Sequence, residues 1–164
     1  MDAVMTKPMD EAIAILKEEV SLLQRVLFLE EKKYQALKEV NLEDLMNIND
    51  QEELLLQEIH AKEEKRQQVF HKINPKATDF HAFLSQIEEE TVRESFQNLY
   101  IQLAELRDRL KMQSEENKHL IQLNSEIISM TLGLFQKTHG ETYHSPQAPA
   151  KPSPGGSFLV NHVV

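Results

Sequence analysis

The chain has 164 residues, 40% of them hydrophobic, and 18 Lys and Arg against 27 Asp and Glu give a formal net charge of −9. This acidic balance argues against nucleic acids and anionic membranes as partners, because both attract Lys and Arg. Cysteine is absent, which excludes disulfides and thiolate chemistry. Only Pro8, Pro75 and Gly133 interrupt the first 137 residues, too few turn-forming residues for a sheet fold.

The first helix is predicted over about residues 9–39, with Pro8 in its first turn, where a missing N–H is tolerated. Its apolar residues alternate between spacings of three and four, which is typical of a helix packed lengthwise against another helix. This stripe consists of Ile13, Leu16, Val20, Leu23, Leu27, Glu30, Tyr34 and Leu37. The acidic start before Pro8 is a poor secretion signal, and no apolar run is long enough to span a bilayer.

A second helix is predicted over about 42–71, with Asn41 as its N-terminal cap and Asp44 in the capping-box position. The short connection favours an antiparallel hairpin with the first helix. Its stripe consists of Leu45, Ile48, Glu52, Leu55, Ile59, Lys62, Arg66 and Val69. Asn74-Pro75 ends this helix, and Thr78 or Asp79 caps a short amphipathic helix over about 79–86 that covers one end of the bundle.

The third long helix is predicted over about 88–137. Its stripe continues without a break and includes three polar residues, Gln113, Asn117 and Asn124. A buried Asn in such a stripe lowers stability and fixes the register of the helices. Alternatively, these layers are only half buried at an end that frays or faces a partner.

Together these patterns predict an all-α fold. Residues 1–137 form an antiparallel three-helix, coiled-coil-like bundle with a short connecting helix, and residues 138–164, rich in Pro, Gly and Ser, form a flexible tail. We expect a cytoplasmic protein that favours the monomeric state and is not inserted in a membrane.

The helices are unequal in length. At 1.5 Å per residue the first two span ~45 Å each and the third ~75 Å, which leaves ~20 residues of the third without a neighbour. Its end is broadly apolar, and an exposed apolar helix face is a common protein-binding surface. Residues 117–135 are therefore either such a surface or a face that the first helix or the tail covers.

Catalytic chemistry finds little support in the sequence. Glu116 and His119 form one Glu-x-x-His step, but a di-iron bundle needs two such steps and two further glutamates. The other histidines share no metal-ligand spacing, and no phosphate-binding or nucleophile motif occurs. We expect no enzyme activity, no metal and no cofactor.

Three ordered sets of residues resemble one known family. They are Glu30-Glu31-Lys32-Lys33-Tyr34-Gln35-Ala36-Leu37 followed by Asn41-Leu42-Glu43-Asp44-Leu45, then Gln51-Glu52-Glu53-Leu54-Leu55, then Asn117-Lys118-His119-Leu120-Ile121 with Thr142-Tyr143 behind it. In order and spacing, from Glu11 to Tyr143, the chain resembles bacterial flagellar export chaperones of the FlgN type.

The resemblance implies a chaperone that binds the C-terminal region of hook–filament junction proteins, prevents their premature association and delivers them to the flagellar type III export gate. The family binds its client toward the C-terminus, which maps onto part of the third helix here. The implied client-binding residues are Asn117, Leu120, Ile121, Asn124, Ile127, Ile128, Thr131, Leu132 and Phe135. Tyr143 matches a tail tyrosine implicated in docking at the gate, although His144-Ser145-Pro146 replaces the glycine that usually follows.

Two other functions fit the pattern of residues. A structural coiled-coil scaffold would self-assemble through the same third helix, and light scattering separates it from a monomeric chaperone. A ferritin-like enzyme is the third possibility, and a metal-free purified protein would dismiss it.

Overall fold

In this computed structural model, the backbone is described for residues 3–139 and the side chains for residues 7–134. Four helices form: α1 (Ala3–Glu39), α2 (Leu42–Ile73), α3 (Phe80–Ser85) and α4 (Glu90–His139). Between residues 3 and 139 there is no strand. The predicted all-α bundle is confirmed.

α1 is the central helix of the bundle, because it packs along both α2 and α4. Ion pairs join Glu19 to Arg66 and Lys33 to Glu52, so the residue number falls along α2 as it rises along α1, and these two helices are antiparallel. Hydrogen bonds join Asn117 to Glu30 and Asn124 to Leu37, so α4 runs parallel to α1. The chain thus runs up, down and up again.

A central helix needs two buried faces, and α1 has both. The predicted stripe, from Ile13 to Leu37, is buried or half buried throughout. A second stripe, which the spacing of apolar residues did not predict, faces α2, since its members Glu19 and Lys33 pair with that helix. The apolar members of this second stripe are Ala12, Ile15, Leu22, Val26, Leu29 and Ala36.

The start of α1 differs from the expectation. The helix begins at Ala3, which places Pro8 in its second turn rather than its first. Pro8 has no N–H to donate to the carbonyl of Val4, so this turn lacks one helical hydrogen bond. The loss falls close to a helix end, where few bonds are interrupted, and the helix continues through it.

The turn between α1 and α2 is short and strained. The Asn41 amide donates to the Ala36 carbonyl (2.9 Å) and the Val40 amide to Leu37 (3.4 Å), which is the Schellman pattern of helix ends. That pattern needs a left-handed residue, and Val40 adopts it with φ 53°, a conformation that β-branched residues rarely take. Asn41 then caps α2, since its side-chain oxygen accepts from the Asp44 amide (3.1 Å).

The opposite end of the bundle is closed by aromatic rings. α2 ends at Ile73 before Asn74-Pro75, and Asp79 caps α3 by accepting from the Ala82 amide (2.7 Å). The α3 ring of Phe83 stacks on Phe70 of α2 at 4.5 Å and meets Phe96 of α4 edge-on at 5.3 Å. These contacts bring three helices together at the end where α4 begins.

Candidate functional site: the C-terminal end of α4

Two asparagines set the register between α1 and α4. The Asn117 side-chain amide donates to the backbone carbonyl of Glu30 (2.8 Å) and to its carboxylate (2.6 Å). Seven residues further, the Asn124 amide donates to the Leu37 carbonyl (3.3 Å). Both bonds join residues 87 apart, so residues of α4 lie near the level of the residues of α1 that are about 87 positions earlier.

This register places all the excess length of α4 at one end. Glu90 and Ala3, the first residues of α4 and α1, are also 87 apart and therefore level. α4 has 50 residues and α1 has 37, so 13 residues of α4, 127–139, extend past Glu39. We call this segment the overhang; it is ~20 Å long. The sequence predicted ~20 residues because it placed the start of α1 too late.

The overhang and the turn of helix before it expose large apolar side chains. Ile127 and Ile128 are 59% and 57% exposed, and Leu132 is 58% exposed. The full set, which we call the apolar surface, is Ile121, Leu123, Ile127, Ile128, Met130, Leu132 and Leu134. Isolated exposed residues of this kind are ordinary, but a contiguous group marks an interaction surface.

The apolar surface covers more than half of the helix circumference. Met130 and Leu132 lie at its two edges. Residues two positions apart in sequence are separated by about 200° around an α-helix when measured across this arc, and by about 160° the other way. The remaining arc carries polar residues, among them Gln122, Ser125, Glu126 and Ser129. An apolar arc this wide is suited to contact with a helical segment of another protein.

The residues singled out from the sequence fall into four groups. Ile121, Ile127, Ile128, Thr131 and Leu132 are exposed. Leu120 and Asn124 are half buried at the boundary with α1, whereas Asn117 is buried within the bundle. The side chain of Phe135 and the whole of Tyr143 lie outside the described residues.

Three further apolar residues were not found from the sequence. Val40, Leu42 and Met46 are 62%, 69% and 69% exposed at the turn between α1 and α2. The 87-residue register puts Val40 level with Ile127, so this turn lies at the same end of the bundle as the overhang. The predicted antiparallel bundle already places this turn at that end; the exposure of its three apolar side chains is what local spacing does not show.

Asn117 belongs to a polar network that crosses all three long helices. Glu30 accepts from Asn117 and also pairs with Lys33 (3.2 Å). Lys33 in turn binds the carboxylate of Glu52 on α2 (2.5 Å). Burial and the nearby Glu30 carboxylate raise the pKa of Glu52 to about 7, despite the opposing effect of Lys33. One Glu52 oxygen, Oε1, is buried without a hydrogen-bond partner.

A second buried ion pair joins α1 and α2 nearer the N-terminus. Glu19 accepts from Arg66 at 3.1 Å, and its other oxygen is buried without a partner. Burial raises the pKa of Glu19 to about 7, with Arg66 opposing and Glu63 adding to the rise. Among the buried polar groups, the neutral amides of Asn117 and Asn124 therefore join α1 to α4, whereas charged pairs join α1 to α2. An exposed ion pair between Arg109 and Glu31 (3.7 Å) also links α4 to α1.

The Glu-x-x-His step of the sequence lies on the surface of α4. Glu116 and His119 are both exposed, and residues 3–139 hold no cluster of carboxylate and histidine groups suited to a metal ion. Within the same residues, no helix is long and apolar enough to cross a bilayer. The geometry presents a helical apolar surface at one end of the bundle.

Comparison with protein families agrees with this architecture. The family model described as FlgN protein matches residues 5–151, which includes all four helices but the first two residues of α1. The chain belongs to the FlgN family. No curated protein and no solved structure matches the chain.

FlgN proteins are flagellar export chaperones that bind flagellar proteins, so membership of the family implies a chaperone with a protein partner. The resemblance stated from the sequence is confirmed. The match also covers the overhang, so the apolar surface lies within the part of the chain that the FlgN family shares.

Proposed function

We propose that this FlgN-family protein is a cytoplasmic chaperone that binds the C-terminal region of hook–filament junction proteins and delivers them to the type III export gate. The observation that carries the proposal is the apolar surface at the end of α4, where Ile127, Ile128 and Leu132 are each more than half exposed. A client helix laid against this arc would bury its own apolar face along with that of the chaperone.

The proposed binding surface consists of the residues that are exposed or lie at its boundary, together with Phe135, whose side chain lies outside the described residues. Its members are Leu120, Ile121, Asn124, Ile127, Ile128, Thr131, Leu132 and Phe135. Asn117 takes a different role in this proposal, because its amide is already bonded to Glu30 inside the bundle. It fixes how far α4 extends past α1, and so how much of the surface is open to the client.

The mechanism requires no covalent step. A client bound in this way is removed from the pool that self-associates, and the extent of protection follows from the affinity and the chaperone concentration. Release at the export gate comes from competition for the client or the chaperone. In this proposal Tyr143 contributes to docking at the gate.

Binding to the C-terminal segments of hook–filament junction proteins, measured by isothermal titration calorimetry, tests the proposal. Replacing both Ile128 and Leu132 by Asp is expected to weaken binding by about a hundredfold, because the client's apolar face would meet two carboxylates. Ile101→Asp is the matched control. Ile101 is 47% exposed on the same helix, but it lies where α4 packs along α1 and not in the overhang. If no junction protein binds the wild-type chain, the proposed function is wrong.

A second function, self-assembly as a coiled-coil scaffold, is favoured by the same exposed arc, because two copies can cover each other's apolar surfaces. Multi-angle light scattering separates the two. A monomer that forms a one-to-one complex with a junction protein supports the chaperone, whereas a stable oligomer that dissociates in the Ile128→Asp, Leu132→Asp variant supports the scaffold.

A further inference from the structure

A groove separate from the end of α4 runs between α1 and α2. It has a volume of about 520 Å³. Leu29 and Leu55, both buried, form its floor, and Phe28 and Leu54 form its walls at 56% and 63% exposure. Two large apolar side chains therefore face solvent across a groove that follows the helix axes.

The groove lies on the side of α1 that faces away from α4. Phe28 and Lys32, which line it, are each two residues from Glu30. Two residues place side chains about 160° apart around a helix, and Glu30 is the residue that bonds to α4. An occupant of the groove would therefore contact α1 and α2 without displacing α4.

The charges along the groove differ from those of the whole chain. Arg25 and Lys32 line it together with one acid, Glu58, whereas the chain has a net charge of −9. Among the described residues neither cation has an ion-pair partner; Lys32 Nζ lies 4.6 Å from the centroid of the Phe28 ring. By contrast, Lys33, Lys62 and Arg66, which lie between the packed helices, all pair with carboxylates.

We propose that the groove between α1 and α2 binds an amphipathic helix of a second protein whose apolar face is flanked by Asp or Glu. The apolar face would pack on Phe28 and Leu54, and the flanking carboxylates would pair with Arg25 and Lys32. The groove residues of α1 run from Ser21 to Lys32, which is ~17 Å and matches about three turns of such a helix. This site is independent of the proposed client surface on α4.

A synthetic helical peptide tests the proposal in the full chain. The probe is a fluorescein-labelled peptide of about four helical turns, with Leu along one face and Glu on both sides of that face. A second peptide has Lys in place of every Glu. Fluorescence anisotropy is expected to show binding of the Glu peptide and at least about tenfold weaker binding of the Lys peptide. Exchanging both cations, Arg25→Glu with Lys32→Glu, is expected to reverse this preference.

Two further variants locate the probe. Leu54→Ser removes one wall of the groove and is expected to weaken binding of the Glu peptide by about tenfold. Ile128→Asp with Leu132→Asp alters the apolar surface of α4 and is expected to leave that affinity unchanged, so failure of the proposed client site would not affect this result. Circular dichroism verifies that each variant is folded.

Three results would overturn the proposal. The first is no binding of the Glu peptide, and the second is an affinity that the charge exchange leaves unaltered. The third is occupation of the groove by another part of the same chain or by a second copy of it. In that case ¹H–¹⁵N spectra of the Leu54→Ser variant would show shifts at residues 158–164, or the wild type would be a dimer that the charge exchange dissociates.

Discussion

The two interfaces of α1 are built from different polar chemistry. Toward α4, the amides of Asn117 and Asn124 bond to carbonyls, and Asn117 also bonds to the Glu30 carboxylate. Toward α2, two ion pairs bury carboxylates that each keep one oxygen unbonded. A neutral amide fixes register at any pH, whereas a buried carboxylate makes its interface depend on its partner cation and on pH. The amide-to-carbonyl bonds of the interface with α4 therefore do not titrate, whereas the buried carboxylates of Glu19 and Glu52 in the interface with α2 do.

Removal of Lys33 is expected to cause the largest change. In Lys33→Ala the carboxylates of Glu30 and Glu52 remain buried without their shared cation, so the free energy of unfolding at pH 8 should fall by about 3–5 kcal/mol. Urea denaturation measures the loss. Lys32→Ala is the control, because this neighbour has no ion pair among the described residues and should change stability by less than about 1 kcal/mol. If Lys33→Ala and Lys32→Ala lowered the free energy of unfolding equally, the buried ion pairs of Lys33 would not be the source of the loss.

A change of pH is expected to alter the stability of the protein mainly through the interface between α1 and α2. Glu19 and Glu52 have a pKa of about 7 in the fold, against 4.5 as the ordinary value. Between these values the folded chain binds protons that the unfolded chain releases. The contribution of these two groups to the free energy of unfolding is therefore largest below pH 4.5. It decreases as the pH rises through 7, by on the order of 2 kcal/mol.

Thermal unfolding at pH 5.5 and pH 8 measures this dependence. The variant with both Glu19→Gln and Glu52→Gln keeps the shape of the side chains but cannot ionise, so its melting temperature should vary less between the two values. If wild type and variant show the same dependence, these two carboxylates are not its source.

The interface with α4 is expected to respond less strongly to loss of its amide. Asn117→Ala leaves the Glu30 carboxylate with Lys33 but without its second donor, and should lower the free energy of unfolding by about 1–2 kcal/mol. Chemical denaturation measures the change, and Asn98→Ala on the exposed side of α4 is the control. A loss as large as that of Lys33→Ala would show that both interfaces depend on charge to the same degree.

The smallest expected effect is a gain at the turn between α1 and α2. Val40 has φ 53° and is 62% exposed, so Val40→Gly relieves strain without removing a buried side chain. We expect a net stabilisation of about 1 kcal/mol, since the flexibility of glycine in the unfolded chain offsets part of the gain. Val40→Ala retains the Cβ and should gain much less. Equal melting temperatures for Gly and Ala would argue against strain at this position.

The sequence predicts the surfaces of single helices well and their alignment poorly. Spacing found the stripe of α1 that packs on α4, the cap at Asn41 and the break at Asn74-Pro75, because each depends on neighbouring residues. It missed the stripe containing Ile15, Leu22 and Val26, because one heptad pattern describes one neighbour and α1 has two.

For the candidate site, the sequence located the apolar end of α4 but not its limits. It left open whether Asn117 was buried, and the structure answers this through a bond to Glu30, which is 87 residues away and cannot be identified from local spacing. The extent of the overhang depends on that same register. The exposure of Val40 likewise depends on which helices pack beside the turn, and local spacing does not show this.

The ring cluster of Phe70, Phe83 and Phe96 at the opposite end has a consequence for amide exchange along α4. Opening α4 near Phe96 disrupts contacts to two other helices, whereas Ile127, Ile128 and Leu132 are already more than half exposed and lose little packing when the helix opens there. Protection from deuterium should therefore decrease steadily from Phe96 toward His139. The last turns open most easily, so a bound client would be detected first as slower exchange in the part of α4 that is otherwise fastest.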